Sequence, residues 1–425
     1  MFVAMETASL DDVLTSLGID DPDDRLFRSH WAASQSNQPG HAIDFLGAES
    51  IRRDRAYSGL PEDVDAVLLQ AAERVRASAE LSSLAWHCQY LVYDVFEFPA
   101  WQNTCHWPVV IAGLGDLTSA FYLLIALAAV PRMLAAHQQR GIPGQISHDC
   151  CTHFPASVRR FGEHNAGRVG MTPGSLYWLQ NHVRGDLFRL GRLEFMVKPF
   201  RGPLVAWRHR HGGAVVALAG DGVPFDAEGV IAADANHAVW TSQLVETDRS
   251  VTGTPISPLG YGQRDMVALP RAEWEAVLAP EDPILEVHIP AGGDMTPGRC
   301  RDSMQQALEF FPRYFPDKPF VGFACGSWIL NPELDRIYRP DSNMVLWQRE
   351  LYLYPLAHHP DSRSGLHFIF GTDDVDPATV PRDTSLRRAL LEHLETGGRL
   401  LGGGMFLLLE DFEHFGTQIY RKESE

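Results

Sequence analysis

Apolar residues recur at Val64, Val67, Leu68, Ala71, Ala72 and Val75, the i, i+3, i+4, i+7 spacing that lines one face of an α-helix. Pro61 suits the first turn of that helix, and Glu62 and Asp63 lie where its dipole favours negative charge. Leu84, Cys88, Leu91, Val92 and Val95 repeat the stripe and predict a second helix. Residues 117–136 are apolar nearly all round, as expected of a helix at the centre of a bundle. A short helix over 10–17 with a docking arm to residue 55, a further helix within 146–163 and a last one over 175–187 complete this half. Pro155 either kinks the 146–163 helix or marks a restart.

From about residue 187 the period changes. RLEFMVKPF and VAWRHRHGGAVVALAGDGVPFD alternate or run as β-prone segments around Gly-Gly and Asp-Gly turn signals. Residues 241–262, rich in Gly, Pro, Ser and Thr, are expected to form a long loop. ILEVHIP, AGGDMTP, GRCRDSMQQALEFFPRYF and PFVGFACGSWIL then spell strand, glycine turn, amphipathic helix and strand. Beyond them, Asp341 or Ser342 is placed to cap a helix with Met344, Trp347, Leu351 and Tyr354 on its apolar face. A strand over 366–370, a helix over 384–395 and the apolar 397–412 segment close the chain. The fold class is α+β, with a mainly helical domain over 1–186 and a mixed α/β domain over 187–425.

Composition narrows the function. A chain of 425 residues exceeds what one core supports, and 45% hydrophobic with 21% charged residues is the balance of a globular enzyme. The net charge of −18 argues against nonspecific binding to nucleic acid or to an anionic membrane, which needs accumulated Lys and Arg. The apolar stretch 109–130 is interrupted by Asp116, Thr118 and Ser119, so it is expected to be a buried helix rather than a span. Six scattered cysteines without a CxxC, and a start without a basic region and apolar run, predict a reducing, cytoplasmic setting.

Several residues carry candidate chemistry. In AGGDMTP, Gly292 and Gly293 follow a strand, Thr296 can cap the helix and Pro297 fits its first position, with Arg299 and Arg301 in the first turns. Backbone N–H groups with two guanidiniums suit a pyrophosphate or carboxylate; an ordinary joint with solvated arginines would use the same residues. Glu286 and His288, two apart on a strand, share one face, where a carboxylate can fix the tautomer of a basic imidazole or simply satisfy it. Cys325 and Ser327 share a face of the second strand, with His288 on a neighbouring strand as the candidate base, although a strand cysteine is more often core. His148, Cys150, Cys151 and His153 resemble a metal set, but one helix splits them between two faces, so no metal is expected there. His209 and His211 flank Arg210 on what is expected to be an edge strand, and His358-His359 read as loop.

LSSLAWHCQYLVY, FYLLIALAAVPRMLAAHQQRGIP, RGDLFRLGRLEF, ILEVHIPAGGDMTP, the CxSWxL of CGSWIL and RPDSNMVLWQRE, in that order, resemble the bacterial two-domain acyltransferase-domain proteins. In those, a helical domain precedes one resembling the GNAT acyltransferases, and the resemblance here runs from about residue 55 to about 415. It implies an acyl-CoA-dependent acyltransferase acting on an amine or hydroxyl of a small molecule. Acyl-CoA would be the co-substrate, its pyrophosphate on Gly292, Gly293 and Thr296 with help from Arg299 and Arg301, while His288, assisted by Glu286, takes the acceptor's proton. The strand 284–290 would splay from 320–330 to admit the acyl arm, and the segment from Asn343 matches the helix that carries a general-acid tyrosine in many GNAT enzymes. AGGDMTPGR departs from the usual Gln/Arg-x-x-Gly-x-Gly/Ala spacing. Two alternatives stand beside this reading: a hydrolase or lyase using Glu286, His288 and Asp341 without CoA, and a non-catalytic binding module.

Overall fold

In the computed structural model, which describes residues 9–21, 26–39, 42–372 and 374–421, the chain divides into two compact units, Met1–Arg189 and Leu190–Glu425. The first is helical. Its core is built from α1 (Asp65–Arg76), α2 (Ala79–Tyr93), α3 (Thr118–Leu127) and α4 (Ala129–Gln139), with shorter helices around them. The α1 stripe is buried at Leu68, Ala71, Ala72 and Val75, and Ser78 caps α2 by accepting the Leu81 N–H at 3.1 Å.

All ten side chains of α3 are buried, as the all-round apolar pattern requires. The expected single helix over 117–136 is broken at Ala128, because Pro131 has no N–H to offer the carbonyl one turn back. The stretch Gly115–Gln139 is long and apolar enough to cross a membrane, but 72% of its apolar window is buried inside the protein. Pro155 marks a restart: Gly144–Cys150 ends, and His153–His164 begins with the proline in its first turn, where N–H groups lack helical acceptors.

The second unit is organised on a sheet whose strands include β1 (Leu193–Pro199), β2 (Pro283–His288), β3 (Gly322–Ser327), β4 (Tyr352–Pro355) and β5 (Gly403–Leu408), neighbouring in the order β1-β2-β3-β5-β4. Among these five strands β2 and β3 pair in parallel, joined through α5 (Pro297–Tyr314), and the other neighbours are antiparallel. A second sheet of five strands includes Leu204–His209 and Val215–Ala219.

Three further expectations are corrected. Residues 241–262 are not a loop; they supply the short strands Leu244–Glu246, Ser250–Gly253 and Pro255–Ser257, because Val251 and Ile256 reach the core and Thr247 closes a tight turn with Ser250. Residues 366–370 are not a strand but the helix Leu366–Phe370, between Gly365 and Gly371 at φ 91 and 82. Leu366 and Phe370, four apart, are buried while Phe368 is 70% exposed, the helical choice for a short apolar run that either period would fit. The helix α6 (Asn343–Arg349) stops before Leu351, and Tyr354 lies in β4 instead of on its face. Glu350 is the C-cap, and its buried carboxylate accepts the backbone N–H groups of Gly416 at 2.7 Å and Gln418 at 3.2 Å.

Candidate active site

Six register pairs tie β2 to β1, from Pro283↔Pro199 to His288↔Glu194. On its other side β2 pairs with β3 at only Leu285↔Phe323 and Glu286↔Ala324, after which the strands part although β3 continues to Ser327. The carboxyl ends of two parallel strands therefore open into a gap, the kind of place where open α/β sheets collect ligands.

Alternation and register put Glu194, Glu286, His288, Ala324, Gly326, Gly404, Phe406, Tyr352 and Tyr354 on one face of the sheet. His288 Nε2 and Glu286 Oε2 are 3.1 Å apart, with the two side chains 24% and 38% exposed. An ionised carboxylate only accepts, so the neutral imidazole bears its proton on Nε2 and its basic lone pair on Nδ1. Partial burial pushes the Glu286 carboxyl up, but the hydrogen bond from His288 and the positive fields of His288 and Lys198 outweigh it and hold the group below the ordinary range. Buried Glu194 stands opposite His288 across the ladder, a second carboxylate that spacing along one strand could not reveal.

Across the same face, Gly326 and Gly404 contribute no side chains, and Tyr354 folds over the second of them. A Cβ on Gly404 would sit 2.1 Å from the Tyr354 ring. Burial, reinforced by Cys325 and Glu286, keeps the Tyr354 phenol well above its ordinary value and therefore protonated. The result is a trough with an imidazole–carboxylate pair on one side, a protonated phenol on the other and a glycine floor between. Sequence reasoning assigned Tyr354 to a helix face; the signal available was the aromatic–glycine alternation of YLYP and GGGMF in two strands that only the fold makes neighbours.

At the open end of β2 the glycine turn leads into α5. Gly292 and Gly293 have φ of 81 and 78, conformations that fit glycine. Arg192, absent from the sequence-derived site, braces the turn by donating to the carbonyls of Pro290 at 2.9 Å and Asp294 at 3.2 Å. Thr296 Oγ1 accepts the Arg299 N–H at 3.4 Å and Pro297 opens the helix, as the spacing predicted. Arg299 is 60% exposed and 3.9 Å from Asp294, whereas Arg301 lies over the Phe412 ring at 5.8 Å. Gly292, Gly293, Thr296 and Arg299 thus form one rim. Asp341 is elsewhere: it is 79% exposed beside Arg339 at 3.8 Å, the α6 cap is Ser342, and no hydrogen bond joins Asp341 to Glu286 or His288.

The sulfur candidates do not form a site with His288. Cys325 and Ser327 project from the opposite face of β3, and burial, with Glu286 adding to it, pushes the Cys325 thiol up to about 12. In the first unit, burial lifts Cys151 to about 12 and lowers His153 to about 4, so neither suits a metal as it stands. His209 ends a strand paired on both sides, not the expected edge strand, and His211 lies beyond it in the turn, where His209 Nδ1 accepts the Gly212 N–H at 2.9 Å and closes a hairpin. A cleft of about 750 Å³ lies between Val215–Ala219 and residues 410–420, but its charges are matched internally, Asp411 accepting from Arg208 at 2.8 Å and from Tyr420 at 2.6 Å. Chemistry therefore points to the strand gap and not to this cleft.

The family described as GNAT-like C-terminal domain matches residues 187–406, more than half the chain, and the N-acyltransferase N-terminal domain matches residues 53–185. The structure is similar to that of an acyltransferase in complex with CoA and 10C-teicoplanin, at 20% identity and a TM-score of 0.63 over 94% of this chain and 99% of that one. It is similar at the same identity, TM-score and coverage to a mutant acyltransferase in complex with octanoyl-CoA. An acyltransferase in complex with decanoyl-CoA and teicoplanin shares 19% identity and a TM-score of 0.61 over 94% and 99% of the two chains. At these identities the likeness establishes a common fold. No protein of curated function matches the sequence.

Proposed function

Because the chain belongs to the family that joins an N-acyltransferase N-terminal domain to a GNAT-like C-terminal domain, we propose that it transfers an acyl group from acyl-CoA to an amine or hydroxyl of a small molecule. The observation that carries this reading is the parting of β2 and β3 with Glu286–His288 at its mouth and a glycine turn entering an 18-residue helix beside it. The turn of Gly292, Gly293 and Thr296, braced by Arg192 and flanked by Arg299, receives the pyrophosphate at the helix start. The acyl arm enters the gap between the strands.

His288, oriented by Glu286, accepts the acceptor's proton at Nδ1 as the nitrogen or oxygen attacks the thioester carbonyl. The new C–N or C–O bond forms, the C–S bond breaks, and the CoA thiolate leaves. Tyr354, too weak an acid to surrender its proton, stabilises that thiolate by hydrogen bonding. Asp341 has no step in this scheme. None of the six cysteines is in a disulfide, and we assign the protein to the reducing cytoplasm.

Thermal unfolding with CoA, acetyl-CoA, octanoyl-CoA and decanoyl-CoA tests the proposal, the longer donors being those held by proteins of the same fold. A donor at 100 times its dissociation constant is expected to add ~2.7 kcal/mol of stability. The shift is expected to vanish in Gly293→Trp and to shrink in Arg192→Ala. No shift with any thioester would move first place to a CoA-independent hydrolase or lyase, the reading that the turn's departure from the usual phosphate-loop spacing favours.

A further inference from the structure

Away from the trough, two segments that the sequence keeps more than a hundred residues apart bring three potential metal ligands together. Asp234, His237 and His359 place one carboxylate oxygen and two imidazole nitrogens within 4.8 Å of one another. Asp234 Oδ1 is 2.9 Å from His237 Nδ1, and Asp234 Oδ2 is 3.9 Å from His359 Nδ1. Tetrahedral zinc, with bonds near 2.1 Å, needs ligand atoms roughly 3.4 Å apart; the two contacts of the Asp234 carboxylate lie on either side of that value, and all three ligand atoms fall within 4.8 Å, so small side-chain rotations complete the set.

Capping explains part of the cluster. Asp234 accepts the Asn236 N–H at 2.9 Å and begins the short turn Ala235–His237, which accounts for Asp234 beside His237. It does not account for His359. That residue arrives because the two segments are laced together by the backbone: His358 donates its N–H to Ile231 at 2.9 Å, and Ala233 donates to His358 at 3.0 Å, making a parallel bridge at Ala232↔His358. Asp234 and His359 each directly follow a laced residue, so their positions are set by main-chain hydrogen bonds and not by surface chance. The three side chains are 39%, 43% and 65% exposed, open enough to be reached from solvent and to rotate the last fraction of an ångström.

We propose that Asp234, His237 and His359 bind a divalent transition ion of the zinc class. Two imidazoles and one carboxylate suit Zn²⁺, Co²⁺ and Ni²⁺ better than the oxygen-seeking Mg²⁺ and Ca²⁺. Binding releases any proton shared between Asp234 and His237 and leaves a fourth position to water. The ion clips the 231–237 segment to the 358–359 segment. His358 in turn accepts the Gly402 N–H at 3.0 Å, immediately before β5, whose Gly404 floors the trough. The proposal is independent of acyl transfer.

Untagged full-length protein, stripped with chelator and dialysed, is titrated with Zn²⁺ by calorimetry and with Co²⁺ by visible absorption. One equivalent is expected, with intense tetrahedral Co²⁺ bands. His359→Ala, His237→Ala and Asp234→Ala are each expected to weaken binding by no less than the roughly 10–100-fold that loss of a supporting partner costs. His211→Ala, which removes an exposed imidazole outside the cluster, is expected to leave it unchanged. Absence of Zn²⁺ binding, or retention of the same affinity and Co²⁺ spectrum in a folded His359→Ala protein, overturns the site. Circular dichroism of each variant identifies any that fail to fold, and for those His359→Gln or Asp234→Asn serves as the readout.

Discussion

Histidine behaves differently in the two units, and the contrast shows what makes a side chain available for chemistry. His87 in the helical unit is buried between Ser34 Oγ at 2.7 Å and the Phe27 carbonyl at 2.7 Å, and burial lowers it to about 4. His137 is likewise lowered to about 4 by burial and sits 2.8 Å from Ser147 Oγ. Both are held neutral and serve as packing. His288 stands at the mouth of a strand gap, with Glu286 fixing its tautomer and Glu194 across the ladder. Residue type is shared; solvent access and a carboxylate partner are what differ.

The largest effect expected from breaking this contrast is on turnover. His288→Ala is expected to lower kcat by ~10²–10⁴-fold, the usual contribution of a general base, while the unfolding midpoint stays within about a degree or two of the parent. A comparable loss of kcat from an alanine at buried His137 would erase the distinction. In the helical core, Phe121→Ala is expected to cost ~3–5 kcal/mol in chemical denaturation, because the side chain is fully buried in α3.

Acid separates the two classes next. Below the ~6.5 of an unfolded histidine, the unfolded chain binds a proton that folded His87 and His137 refuse until about 4. Stability is therefore expected to be complete above pH ~6.5 and to fall by a few kcal/mol as the pH drops toward 4. His87→Gln is expected to flatten that slope, which denaturation at a series of pH values reads directly. Glu286, held below its ordinary range, adds a smaller loss only under more acid conditions, as it becomes protonated.

Gly404→Ala sharpens the role of the trough, since its methyl group collides with the Tyr354 ring. It is expected to cost ~1–3 kcal/mol and to reduce kcat as the phenol is displaced, whereas Tyr354→Phe is expected to reduce kcat with little loss of stability. The smallest effect belongs to Glu286→Gln. It keeps the hydrogen-bonding shape but removes the negative charge that favours a protonated imidazole beside it, so the acid limb of the rate profile is expected to move to lower pH with only a modest drop at the plateau. An unchanged profile would mean that Glu286 merely satisfies His288.

Much of this was legible in the chain. The stripes of α1 and α2, the strand–turn–helix–strand unit from 284 to 330, the Thr296 cap and the shared face of Glu286 and His288 all rest on local spacing, and the structure contains each of them. Expectations failed where neighbours decided: residues 241–262 became strands by finding partners, and 366–370 became a helix by the choice of which side chains to bury.

Sequence alone determined the two-part organisation, the helix start at the glycine turn and the pairing of Glu286 with His288, because those depend on periods of 3.6 and 2 and on caps a few residues long. Tertiary structure decided the parting of β2 and β3, the meeting of Tyr354 with a glycine floor, the Arg192 brace and the union of Asp234 with His359. Each of those joins residues from distant parts of the chain, and contact across such a separation is set by which strands pair and in what register, information that no short window of sequence contains.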